Sequence, residues 1–452
     1  MRVPVLITLP AQESLRASAS AFRAKRAPAP GDFSKTEMPG GIHLDTTFSA
    51  VPVGKGGAFE TLESHEPEVS ENFAVRGFVE VSHADEIPES VEGQPVFADP
   101  QIRPFQTPPI TCGGTPPVGN SATVRAKINV AQLAAKQLDG TGIAIAIMDT
   151  GINLKHVTNK LGHAVRLDAA NSWAPAGLSI QPGTHPVDHG SMCAYDALMI
   201  APKATLLDCP ILSSNVPGGS VMGGTLSSAL LAFAQMIASW AVAFAPGGAG
   251  IKYKGLVISN SWGIFHPSWD FPVGHSGRFC DNPRHPFNLI VSTLASTGAD
   301  IVFAAGNCGA QCADGRCNAR TTQAIMGASA HQDVLTLAGC DTNDRRVGYS
   351  SQGPSIVGMF QQKPDVTAYT HFLGSEAFGN GSPDSGTSAA CPVASGCVAA
   401  LRTKLPPVAT PPANLFAQLR ATARQVNSPA GWNGDYGFGI IDPVAAAISL
   451  GI

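Results

Sequence analysis

Ile143-Ala-Ile-Ala-Ile-Met148-Asp149-Thr150-Gly151 is an unbroken apolar run that stops at a carboxylate and a tight turn. A run with no polar alternation reads as a strand buried on both faces. Gly255–Ser259, Ile301–Ala305 and Val334–Ala338 repeat the pattern, with helical stretches between them. Buried strands alternating with helices predict a parallel sheet inside an α/β domain.

The rest of the 452 residues divides around this body. Hydrophobic residues make up 44% and charged residues 14%, and 48 Gly with 36 Pro fall short of a disordered composition. Net charge is −4, which offers no footprint for nucleic acid or an anionic membrane. The charge is uneven: residues 1–110 carry −6 and residues 111–452 carry +2. Between Asp99 and Gly119, six prolines and three glycines argue against regular structure. The expected organisation is therefore a small domain over 1–98, a linker over 99–119 and the α/β body over 120–452.

Within the first domain, Val3–Leu9, Ile42–Val53, Phe73–Val81 and Pro95–Ala98 read as strands, and Glu13–Lys25 and Asp85–Val91 as helices. This β-α-β-β-α-β order is that of an α+β ferredoxin-like unit. The run Val3–Pro10 is interrupted by Thr8 and ends at Gln12-Glu13, so it reads as a first strand and not as an export signal. A cytoplasmic location with reduced cysteines is the expectation, and secretion the alternative. Ala229–Ala245 lacks charge, but Leu226, Leu230, Phe233, Ile237, Trp240 and Phe244 recur at helical spacing, as in a buried core helix.

Reactive side chains of α/β sheets gather at the carboxyl ends of strands. Asp149 follows the first apolar run, although Asp before Gly is also common turn chemistry. His189, in Asp188-His-Gly-Ser191, begins a helical stretch, where a solvated surface His is the ordinary explanation. Asn307, after Phe303-Ala-Ala-Gly306, offers an amide that could meet a developing oxyanion, or could simply make a turn. The deciding stretch is Asp384-Ser-Gly-Thr-Ser388-Ala-Ala-Cys-Pro392, in which small residues surround a serine at the entry of an apolar helix. A serine hydroxyl becomes a nucleophile when a base takes its proton and a carboxylate orients that base.

Asp149-Thr-Gly, His189-Gly, Asn307 and Gly386-Thr-Ser388-x-x-x-Pro392, in that order, resemble the subtilase (subtilisin-like) serine proteases. Val257–Gly263, Tyr349–Pro354, Lys363-Pro-Asp365 and Asn433–Asp442 support the resemblance, which spans about residues 120–445. It implies a subtilisin-like three-layer domain, with Ser388 as nucleophile, His189 as base and Asp149 as its orienter. Asn307 and the Ser388 N–H would meet the oxyanion. Ser261-Trp262-Gly263 would pair with an extended polypeptide substrate and share the first specificity pocket with Ala304-Ala305-Gly306. The resemblance also implies that residues 1–98 act as an intramolecular inhibitor whose tail, within 99–119, lies in the cleft and is cut by the enzyme itself. Its acidic charge against the basic body would favour docking.

Some positions depart from the family pattern. Ser191-Met192 follows His189-Gly190 where Thr-His is usual, and Cys308-Gly309 follows Asn307 in place of an acidic residue. Cys308, Cys312 and Cys317 could be free thiols, disulfide partners or, least well by spacing, zinc ligands. Cys391 reads as a small core residue. No acidic run suggests calcium, and neither a metal site nor a cofactor is expected. The competing reading is a binding or regulatory protein on the same fold that has lost catalysis.

Overall fold

The computed structural model describes the chain apart from residues 25, 27–29, 54–69, 106–115, 176, 214–222, 244–251 and 427–429, and apart from the side chains of 30 and 240–243. The N-terminal region contains β1 (Arg2–Pro10), α1 (Glu13–Arg23), β2 (Ile42–Leu44), β3 (Val51–Val53), β4 (Asn72–Glu80), β5 (Ser90–Val91) and β6 (Gln94–Ala98). The strand order β2-β4-β1-β6-β5, antiparallel throughout, is the ferredoxin-like order with a small hairpin at its edge. Two expected elements differ. Ile42–Val53 is two short strands, both paired with β4. The helix expected over Asp85–Val91 is a single 3₁₀ turn, Ala84–Glu86. Pro88 cannot continue a helix, and Glu92-Gly93, both at positive φ, turns the chain into the β5–β6 hairpin.

The linker also departs from expectation. Gln101–Pro104 is a strand, β7, with prolines at 100 and 104. Residues 106–115 of the linker lie outside the described residues.

The body continues with α2 (Ser121–Lys127), α3 (Val130–Ala135), β8 (Ile143–Met148), α4 (Leu154–Leu161), β9 (Arg166–Leu167), α5 (His189–Leu198) and β10 (Thr205–Cys209). Then follow β11 (Gly224–Thr225), α6 (Leu226–Ala243), β12 (Gly255–Asn260), β13 (Trp262–Gly263), α7 (Pro286–Ser296) and β14 (Asp300–Ala304). The last elements are β15 (Leu335–Cys340), β16 (Val366–Tyr369), α8 (Thr387–Arg402), α9 (Pro412–Ala421) and α10 (Pro443–Ser449). Seven strands form one sheet in the order β16-β15-β14-β12-β8-β10-β9, and every pair is parallel.

Alternation along β8 builds the layers. Ile143, Ile145 and Ile147 point into the cluster containing α5 and α8, whereas Ala144, Ala146 and Met148 point into the cluster containing α6 and α7. This is the expected three-layer α/β domain. A buried bidentate pair, Arg402 to Asp300 at 2.6 Å, ties the end of α8 to the start of β14. The α6 residues Leu226, Leu230, Phe233 and Ile237 are buried as the helical spacing requires, and Phe244 lies outside the described residues. No helix among the described residues is long and apolar enough to cross a membrane.

The N-terminal sheet packs on the body chiefly through apolar side chains. Leu6, Phe48, Val51 and Ala74 share a cluster with Leu230, Phe233 and Phe287 of α6 and α7. An ionic link accompanies them: buried Asp99 accepts from Ser227 N at 2.7 Å and Ser227 Oγ at 2.8 Å, while Arg76 Nε lies 2.7 Å from Asp99 Oδ2. Asp99 thereby caps the N-terminus of α6, where a carboxylate is favoured.

Candidate active site

Asp149 ends β8, and Gly151 and Gly190 bring it to His189. Gly151 has φ 101°, and a Cβ on Gly190 would stand 2.4 Å from the Gly151 carbonyl oxygen. Only this close approach allows Gly190 N to donate to Thr150 Oγ1 at 2.9 Å and fix the first turn of α5. His189 Nδ1 then sits 2.8 and 2.9 Å from the two Asp149 oxygens, with both side chains buried. His189 Nε2 is buried without a hydrogen-bond partner among the described residues.

Ser388 occupies the first turn of α8, entered through Gly386 at φ 80°. Its hydroxyl donates to the Ser261 carbonyl at 3.1 Å, and Ser261 Oγ donates to the Ser388 carbonyl at 3.0 Å. Asn307, just after β14, is locked against the same turn: Oδ1 accepts from Thr387 N at 2.9 Å and Thr387 Oγ1 at 3.0 Å. Its orientation is set, so Nδ2 points along the α8 entrance.

That amide already has an occupant. Asn307 Nδ2 donates to the carbonyl oxygen of Phe105 at 2.5 Å, and Phe105 N donates to the Ser261 carbonyl at 2.8 Å. The same Phe105 oxygen lies 2.1 Å from where a Gly386 Cβ would be, so residue 386 must be glycine for this approach. Preceding Phe105, β7 runs antiparallel between β11 and β13. The backbone of this segment is thus held as a strand that ends beside Asn307 and the start of α8.

Six residues expected to contact substrate have distinct placements. Ser261, Trp262 and Gly263 face the β7–Phe105 segment through their backbone, while the Trp262 indole enters the apolar cluster that also holds Ile102 of β7, 5.7 Å from Phe287 and 5.4 Å from Phe303 between ring centroids. Gly263 and Gly306 border the Phe105 ring: added Cβ atoms would lie 2.4 and 3.5 Å from it. Ala304 shares the Phe105 cluster, but Ala305 belongs to the opposite face of the sheet.

Sequence reasoning did not single out Phe105, Phe265, Arg316, Phe378 or Cys193. Phe265 meets the Phe105 ring edge-on at 5.1 Å, and the Arg316 guanidinium covers Phe265 at 3.8 Å. Phe378 lies 6.4 Å from the His189 ring. Cys193, one turn after His189 on α5, has Sγ 3.6 Å from Asp149 Oδ2, a spacing of four that could have signalled it. Asp149, His189 and Cys193 place ligand atoms within 4.8 Å of one another. Burial and the neighbouring Asp149 hold the Cys193 thiol well above its ordinary range, so it sits there protonated, as a donor.

The cysteines after Asn307 correct the expectation of reduced thiols. Cys308 and Cys317 form a disulfide, their Cα atoms 5.7 Å apart, and Cys312 is disulfide-bonded as well. Paired in this way, the three cysteines offer no free thiolate as a zinc ligand. Cys391 is buried in α8, as a core residue should be.

A family model described as the subtilase family matches residues 140–439. The chain belongs to the subtilase family. None of the curated proteins compared matches its sequence. Among solved structures, this subtilase is similar to fervidolysin from Fervidobacterium pennivorans, a keratinolytic enzyme related to subtilisin, with TM-score 0.59 and 17% identity. The match covers 99% of this chain but only 61% of fervidolysin, so the chain spans less than two thirds of that protein, and the likeness concerns the fold.

Proposed function

We propose that this subtilase is a serine endopeptidase held inactive by its own N-terminal domain and released by cutting itself within the 99–119 segment. Ser388 Oγ attacks the carbonyl carbon and passes its proton to His189 Nε2, while Asp149 holds Nδ1–H and favours the imidazolium. The oxyanion accepts from Asn307 Nδ2 and from Ser388 N–H at the α8 N-terminus. The protonated His189 then delivers its proton to the leaving amine, and water hydrolyses the ester by the same route in reverse.

The observation that carries this reading is the Phe105 carbonyl held by Asn307 at the mouth of α8. A peptide carbonyl in that position is where a scissile bond belongs. The competing reading, a silent binding protein, draws on the Ser388 hydroxyl, which bonds the Ser261 carbonyl instead of His189 Nε2. Catalytic hydrogen bonds commonly tighten only with bound substrate, so this arrangement does not count against catalysis. The Cys308–Cys317 disulfide supports an oxidising compartment, and hence secretion, over a cytoplasmic location.

Incubation of the full-length chain beside Ser388→Ala tests the proposal. The wild type should shorten by about one quarter of its length and react with a fluorophosphonate at Ser388; equal behaviour of the two chains sinks it.

A further inference from the structure

Resting on that reading, we infer that the self-processing bond is Phe105–Gln106, and that the cleft selects extended polypeptides with an aromatic residue immediately before the cut and a buried aliphatic residue three positions earlier. Phe105 supplies both hydrogen bonds expected of the residue preceding a scissile bond: its carbonyl accepts from Asn307 Nδ2 and its N–H donates to the Ser261 carbonyl. The bond following that carbonyl joins Phe105 to Gln106. Attack by Ser388 Oγ would form an ester on Phe105 and release the Gln106 amine with a proton from His189. Water then yields the Phe105 carboxylate and restores the hydroxyl.

Side-chain burial along the segment gives the preference. Phe105 is 4% exposed in a slot that Gly263 and Gly306 leave open and that Phe265 closes edge-on. Behind Phe265, Arg316 is already paired with Asp314, Nη2 to Oδ2 at 2.8 Å, and its Nη1 reaches the Pro104 carbonyl at 3.3 Å. The slot therefore presents a ring and backbone, with the Arg316 charge neutralised, to whatever enters: favourable to an aromatic, costly for a charged side chain. Ile102 is fully buried in the apolar cluster that includes Leu226, Leu230 and Trp262, whereas Gln101 is exposed and Arg103 half-buried. Alternating burial of this kind is how a strand added to a sheet edge is read.

The test incubates the purified full-length chain, sequences new N-termini, and measures fluorophosphonate labelling at the end. A body fragment starting at Gln106 is expected from the wild type and from Phe105→Tyr. Phe105→Asp should slow that cut about 10²-fold or more. Gly263→Val fills the slot, since even a Cβ would lie 2.4 Å from the Phe105 ring, and should block the wild-type cut. Combining Gly263→Val with Phe105→Ala should restore it, an outcome that misfolding of either single variant cannot produce. Labelled protein cut at another bond, or no rescue by the paired change, overturns the inference and leaves the peptidase reading standing. A wild-type chain neither labelled nor cut overturns both.

Discussion

The Asn307 side chain bridges two elements at once: Nδ2 donates to the Phe105 carbonyl at 2.5 Å, while Oδ1 accepts from Thr387 N at 2.9 Å. Its amide is therefore oriented by the helix that carries Ser388. Replacing Asn307 by Ala should lower kcat on peptide substrates about 10²–10³-fold, the loss known for one such donor in a subtilisin, with little change in KM. Asn307→Asp keeps the Thr387 contact but turns an acceptor toward the oxyanion, so it should be no better than Ala. Steady-state kinetics on the processed enzymes decide this; an Asp variant with near wild-type kcat would remove Asn307 from the reaction.

Asp99 links the two halves of the chain through Ser227 and Arg76. Asp99→Ala leaves the α6 N-terminus uncapped and the Arg76 guanidinium short of one partner, and losing one member of a buried charged pair costs roughly 2–5 kcal/mol. The N-terminal domain should then release sooner, shortening the lag before activity in a fresh sample of full-length chain. A lag equal to wild type would mean that the apolar interface alone sets the hold.

Gly190 fixes how closely α5 approaches the Asp149 turn. Because a Cβ there would meet the Gly151 carbonyl oxygen at 2.4 Å, Gly190→Ala must push back the helix start that carries His189. Misplacement by about 1 Å is enough for a 10²-fold loss in rate. Circular dichroism should show the fold retained while fluorophosphonate labelling of Ser388 slows strongly; labelling at wild-type speed would show that the turn absorbs the methyl group.

These positions show which parts of the site were legible beforehand. Asp149, His189, Asn307 and Ser388 stood out because each follows a readable strand or opens a readable helix, so local pattern and chemistry coincide. The four apolar runs predicted the body sheet because strands buried on both faces leave no alternation to misread. Phe105 was hidden because its role depends on partners over 150 residues away in sequence, and because prolines at 100 and 104 mark a loop unless a cleft supplies strand partners on both sides. The 3₁₀ turn at Ala84–Glu86 was misread for the opposite reason: a local polar pattern suited to a helix was overruled by Pro88 and the Glu92-Gly93 turn.

Asp208, within β10, steadies the turn beneath Asp149 and gives the fold a pH dependence. Its oxygens accept from Ile152 N at 3.2 Å and Gly183 N at 2.8 Å. Burial pushes its carboxyl up to about 7, against the pull of the Gly183 and Ile152 N–H groups and with a smaller push from Asp149. The folded chain thus holds a proton that the unfolded chain gives up near the ordinary value of 3.8. Between about pH 4 and about pH 7 the folded state binds more protons than the unfolded one, so this group's contribution to stability falls as pH rises through that window. Asp208→Asn cannot titrate; it retains one acceptor oxygen and loses the second. Urea unfolding in the Ser388→Ala background, which prevents self-digestion, cancels the titrations that do not depend on Asp208, and leaves Asp208 with the two groups that face it, Asp149 and His185, whose Nε2 lies 3.7 Å from Asp208 Oδ2. The midpoint of the chain that keeps Asp208, minus that of the chain carrying Asp208→Asn, should fall from pH 5 to about pH 7 and level off above it. A difference that stays constant over that range would show that Asp208 is ionised throughout, and that the N–H donors outweigh its burial.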